Sequence, residues 1–182
     1  MPGRRAQIGA GVIGAAAAAT AVILPTTMTN EGFRSHVYLD PARIPTYCFG
    51  DTKDPKWGHT YSRSECAQLL KTRMVRDYAV PITNCVPQLA DPRHLHQFAA
   101  SIDAAYNAGT AAFCRSPMAA SFRAGDWKGG CLKFVGWYAT AELPRPNGLS
   151  CRLLNNGKWS CELPGLVRRR QEESAACLKE DR

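Results

Sequence analysis

The eight cysteines of this chain include no Cys-x2-Cys or Cys-x4-Cys pair, so the spacing of a zinc cage is missing. Its four histidines offer no substitute, because His94 and His96 lie two apart and would point to different faces of a helix. No metal and no cofactor is expected. Charge is absent from Ala6 to Asn30, and the first 47 residues contain no cysteine. After residue 30 there is no internal repeat and no low-complexity linker. An even number of cysteines without metal spacing reads as a set of disulfides formed in an oxidising compartment.

What is present is enough for one ordinary domain with a short appendage: 182 residues, 45% of them hydrophobic. The net charge of +8 favours polyanionic surroundings, whether nucleic acid, membrane headgroups or the acidic polymers of a cell wall, and does not choose among them. The densest basic run is Arg168-Arg169-Arg170, followed by Glu172 and Glu173. It reads as a solvated helix face with local ion pairs.

The uncharged segment is long enough to cross a hydrocarbon core as a helix. Glycine and alanine dominate it, and its bulky aliphatic residues before Pro25 are Ile8, Val12, Ile13, Val22, Ile23 and Leu24. Together these supply only roughly −2 to −4 kcal/mol of insertion free energy, so the segment inserts marginally and can leave. Arg4 and Arg5 orient it with the N-terminus in the cytoplasm and the rest exported. Three fates remain open: a signal peptide cleaved within Ala15 to Ala19, a permanent anchor, or an uncleaved segment that tethers the domain and then escapes.

Thr29 or Asn30 is placed to cap a short helix carrying Glu31. Pro41 and Pro45 then break regularity, so residues 37–54 read as short strands and turns, with Glu31 and Asp40 flanking a cleft. A spine helix begins near Tyr61, capped by Ser62 or Ser64, and runs to Pro81. Residues 92–107 are helical in pattern, with Leu95, Phe98, Ala99, Ile102 and Tyr106 on one face. Shorter helices are expected at 118–122 and 130–138. Asn155-Asn156-Gly157 marks a hairpin closed by a Cys151–Cys161 disulfide, and a closing helix runs from about 164 to 179.

Glycosidic cleavage needs an acid to protonate the leaving oxygen and a second group to direct or supply the attack. Glu31 and Asp40, nine positions apart, meet that need if the chain folds back. The spacing alone is common, and each residue has a structural alternative: Glu31 as a helix-start acid, Asp40 as a turn former, Thr46 as an ordinary strand residue. The surrounding blocks are more specific. Glu31-Gly32-Phe33-Arg34, Tyr38-Leu39-Asp40, Thr46 to Gly50, Ala105-Tyr106-Asn107-Ala108-Gly109, Cys114-Arg115-Ser116 and Gly165-Leu166 to Glu173 occur in that order. In them the sequence resembles the phage-type lysozymes of the T-even lysozyme family, glycoside hydrolase family 24, over nearly all of residues 30–177.

The resemblance implies Glu31 as general acid, Asp40 as the residue that stabilises positive charge and positions a water, and Thr46 as a hydroxyl holding that water. It implies an α+β, lysozyme-like fold: a small β-containing lobe at about 29–60, a linking helix at about 61–80 and a helical lobe at about 81–182. The expected substrate is peptidoglycan, cut between N-acetylmuramic acid and N-acetylglucosamine by a monomer that does not bind nucleic acid. Where many relatives carry histidine this chain has Asp51, and its nearest histidine is His59. Trp57, Tyr106, Trp137 and Tyr138 are candidates for stacking on sugars or for the core, and Arg34 for supporting Glu31 or the lobe interface. Residues 1–28 resemble the signal-anchor-release segments of one endolysin branch, which implies transient association of residues 6–28 with the inner membrane and then release to the periplasm. With Asp40 in place of the cysteine some relatives use there, control is expected from tethering and refolding.

Overall fold

The computed structural model describes residues 9–40, 42–137, 140–143 and 148–180. Helix α1, Ala10–Glu31, presents Ala16, Ala19, Thr20, Ile23 and Thr27 at three- and four-residue spacing as one buried face, which packs against α4, Leu95–Ala108. Ile13 and Val22 remain exposed. Among the described residues α1 is the one helix long and apolar enough to cross a membrane, with a mean hydropathy of 1.6.

The expected short helix starting at Thr29 or Asn30 is not found. Thr29 Oγ1 donates back to the Pro25 carbonyl at 2.9 Å, inside the helix, and Glu31 is the last residue of α1 rather than a helix-start acid. Pro25 removes one backbone donor, but the small-residue face seated on α4 carries the helix past it. Gly32 ends α1 with φ +70°, a conformation costly for any residue with a Cβ.

Strands β1, Arg34–Leu39, and β2, Pro45–Cys48, form an antiparallel hairpin in which Tyr38 faces Thr46. Cys48–Cys66 ties β2 to the spine helix α2, Arg63–Arg73. Ser62 caps α2 in a reciprocal box with Glu65, as its position before the apolar run predicts. Beyond Arg73 the helix widens into a π-helical turn, Met74–Ala79, and continues as α3, Val80–Thr83. Pro81 therefore does not stop it. The carbonyl of Asp77, which Pro81 cannot serve, instead accepts a hydrogen bond from Thr110 Oγ1 at 3.4 Å.

The helical lobe surrounds α4, whose Phe98, Ala99 and Ile102 are buried as the periodicity predicts. Around it lie α5, Thr110–Cys114, α6, Pro117–Arg123, and α7, Trp127–Leu132. The helix expected at 130–138 is displaced towards the N-terminus because Asp126 caps it, accepting from Gly129 N at 2.9 Å. Tyr138 lies outside the described residues. The predicted hairpin is β4, Cys151–Leu153, and β5, Trp159–Glu162, with β3, Thr140–Leu143, added on the free side of β5. Helix α8, Pro164–Cys177, closes the chain against α4. Cys151–Cys161 pairs as expected, and Cys85–Cys114 and Cys131–Cys177 complete four disulfides that leave no cysteine free.

Candidate active site

Glu31 sits where the partial negative charge of a helix C-terminus disfavours a carboxylate. The offsetting charge comes from α8: Arg169 Nη1 donates to Glu31 Oε1 at 2.7 Å. The same guanidinium donates to both oxygens of Asp103 on α4, from Nε and Nη2, each at 3.0 Å. Asp103 also accepts from Thr27 Oγ1 of α1 at 2.6 Å. Burial alone would weaken the Arg169 charge, but Asp103 and Glu31 hold it protonated well above the ordinary guanidinium range.

The solvated-face reading of Arg168 to Arg170 thus holds for Arg168 alone, which is exposed and approaches Glu172 at 3.8 Å. Arg169 and Arg170 are 6% and 0% exposed. Arg170 donates to Asn107 Oδ1 at 2.6 Å and lies over the Trp137 ring, and its Nη1 is 3.0 Å from buried Glu173. Burial, followed by the neighbouring Asp103, pushes the Glu173 carboxyl well above the carboxylate range.

The small lobe meets Glu31 at Gly50. Its φ of +83° suits glycine, and a Cβ there would stand 3.4 Å from Glu31 Oε2. Tyr106 of α4 donates its hydroxyl to the Phe49 carbonyl at 2.8 Å, so the chain just before Gly50 is held to the helical lobe. Burial and then the Glu31 charge raise the Tyr106 hydroxyl above its ordinary value, keeping it a donor.

Asp40 and Thr46 are brought together through Ile44. Asp40 Oδ1 accepts from Ile44 N at 2.8 Å, and Thr46 Oγ1 donates to the Ile44 carbonyl at 3.0 Å. Asp40 is therefore a turn former in fact, with the hairpin fixing its carboxylate, while Thr46 is 5% exposed. Glu31 is positioned by separate contacts, those to α4, α8 and Gly50. Arg34 does not support it: the Arg34 side chain is exposed, with its guanidinium 5.7 Å from the Tyr38 ring centre. Trp57 is exposed, and Tyr106 and Trp137 belong to the packing around the acid cluster.

Asp51 pairs with Arg73 of α2 at 2.9 Å, while His59 turns to Glu65 and the Tyr61 ring. Nearby Lys53 reaches Asp77 at 3.0 Å, so two ion pairs join the small lobe to the helix that links the lobes. Hydrogen bonding from Arg76, and after it from Lys53, holds the Asp77 carboxyl down from 3.8 to about 2. A depressed folded-state value means that this stabilisation is complete above the ordinary carboxylate range and is lost as pH falls towards 2. Asp77→Asn is therefore expected to lower the melting temperature at neutral pH, with the gap from the parent closing between pH about 4 and about 2 in melts taken across that range.

Two signals in the sequence could have found the cluster. Asp103 is an acid inside the run Ala99-Ala100-Ser101-Ile102-Asp103-Ala104-Ala105, and such a residue is buried only with a partner. Arg169 and Arg170 lie in the block that carries the family resemblance. Thr27 gave no signal, because its role depends on where α1 ends up.

A family model described as Phage lysozyme matches residues 28–173, a span that holds Glu31, Asp40, Thr46, Asp103 and Arg169. The chain belongs to the phage lysozyme family. It is a glycoside hydrolase of the lysozyme type. The SAR-endolysin of Enterobacteria phage P21 is 27% identical over 182 residues, covering 97% of this chain and 96% of that one. Among solved structures, the endolysin of Escherichia coli O157:H7 phage FAHEc1 aligns with a TM-score of 0.64 at 21% identity, over 98% of this chain and 97% of that one. The muramidase domain of SpmX from Asticaccaulis excentricus aligns with a TM-score of 0.66 at 22% identity, over 86% of this chain and 94% of that one. These structures share the lysozyme-like fold, and the coverage extends through the lobes and, for the phage endolysin, through α1.

Proposed function

We propose that this protein is a phage endolysin that hydrolyses the β-1,4 bond between N-acetylmuramic acid and N-acetylglucosamine in peptidoglycan. Glu31 donates a proton to the leaving oxygen. Asp40 stabilises the positive charge that develops at the sugar carbon and, with the Thr46 hydroxyl, positions the attacking water. The observation that carries this reading is the pairing of Glu31, within the family-matched span, with a buried Arg169 at 2.7 Å, together with a hairpin that holds Asp40 and Thr46 to one residue, Ile44. Mass analysis of peptidoglycan digested by the full chain tests it. Products that have gained water support hydrolysis; anhydro sugars would make the enzyme a lytic transglycosylase instead.

The reading extends to location. Residues 1–28 act as a signal-anchor-release segment and 29–182 as the lysozyme domain, which is exported, held at the inner membrane through residues 6–28 and then freed into the periplasm as a monomer. The weak apolar character of α1 supports this, as do four disulfides in the fold. Leucines at Gly9, Gly11 and Gly14 are expected to keep the enzyme in the membrane fraction and delay lysis. All three glycines are exposed and a Cβ at each meets nothing within 4 Å, so the folded domain has room for the new side chains. Unchanged release on fractionation would refute the tether.

A further inference from the structure

We propose that Asp103 and Thr27 are positioning residues for the acid: Asp103 orients the Arg169 guanidinium, and Thr27 makes that orientation depend on the seating of α1. This rests on the reading of Glu31 as the general acid.

A guanidinium is planar and rigid. Two of its three nitrogens, Nε and Nη2, are held by the two oxygens of Asp103 at 3.0 Å. That bidentate contact fixes the plane, and the plane fixes Nη1, which stands 2.7 Å from Glu31 Oε1. Asp103 is 0% exposed, so no water competes for its oxygens. Its third contact comes from α1 itself. The Thr27 hydroxyl, 2.6 Å from Asp103 Oδ1 and 3.3 Å from the Ile23 carbonyl, gives its proton to the nearer acceptor.

Thr27 and Glu31 are four residues apart and share one face of α1. Both dock on the same Arg169–Asp103 pair, Thr27 through Asp103 and Glu31 through Arg169. A helix displaced along or away from α4 gives up both contacts together. The acid is thereby aligned by the seating of the helix that carries it, with Asp103 as the fixed point. The groups facing this pair are Thr27 and Glu31 from α1, Asp103 and Tyr106 from α4, Arg170 and Glu173 from α8, and the backbone at Gly50.

The test uses the full chain, with Asp103→Asn and Thr27→Val assayed on dye-labelled purified peptidoglycan, and near-ultraviolet circular dichroism to confirm folding. Asp103→Asn keeps the shape and removes the charge. It is expected to lower kcat by roughly ten- to a hundredfold with KM little changed. Thr27→Val, which removes one hydroxyl, is expected to lower kcat several-fold without moving KM. Folded variants with the parent's kcat would overturn the proposal, as would a loss that falls on KM with kcat unchanged; should Asp103→Asn not fold, an unchanged kcat in Thr27→Val overturns it alone. Glu31→Gln separates the two claims: if it retains activity the acid assignment fails, and if it is inactive while both other variants match the parent, only the positioning role fails.

Discussion

Glu31→Gln is expected to reduce peptidoglycan cleavage by roughly 10²- to 10⁴-fold while leaving a folded protein, the range that a lost general acid produces. Glutamine has the size of glutamate and an oxygen able to accept from Arg169 Nη1, so the geometry at the end of α1 is preserved and only the proton donor is gone. Arg169 keeps its bidentate partner Asp103. The loss should therefore fall on kcat, measured with product release from purified peptidoglycan, with a melting temperature close to the parent's. A non-catalytic wall-binding protein of this fold would keep any lytic effect in the same variant.

Arg169→Leu is expected to be the most damaging single change to stability. It removes the one cation shared by Glu31 and Asp103, leaving Asp103 fully buried with the Thr27 hydroxyl as its remaining partner. Breaking a buried pair on one side costs about 3–5 kcal/mol. For a chain of this size that is a fall of roughly 6–20 °C in melting temperature. Lysine is not a rescue, because a single ammonium cannot make the two contacts to Asp103 and the third to Glu31 together. Arg169→Lys should recover part of the melting temperature and little of the activity, which separates charge from orientation.

Much of this molecule was legible before its structure. The period of Phe98, Ala99 and Ile102, the box of Ser62 with Glu65, and the Asn155-Asn156-Gly157 turn are local signals, and local physics decided them. The Cys151–Cys161 pair followed from the hairpin it closes. What failed were inferences from local charge and from proline. A basic run looks solvated when only its neighbours in sequence are counted, yet Arg169 is claimed by Asp103, 66 residues away, and by Glu31, 138 residues away. Pro81 looks like a helix end until a π-helical turn and Thr110 take up the bond it cannot make.

The sequence by itself determined the chemistry available to this protein: which acid and hydroxyl types it carries, how many cysteines there are to pair, and a first segment that is long, uncharged and rich in glycine and alanine. Tertiary structure alone decided how Glu31 is held. A carboxylate at a helix C-terminus is unfavourable where it stands, and only the meeting of α1, α4 and α8 brings a guanidinium to it. Such a meeting joins residues from opposite ends of the chain, and no pattern within either segment records it.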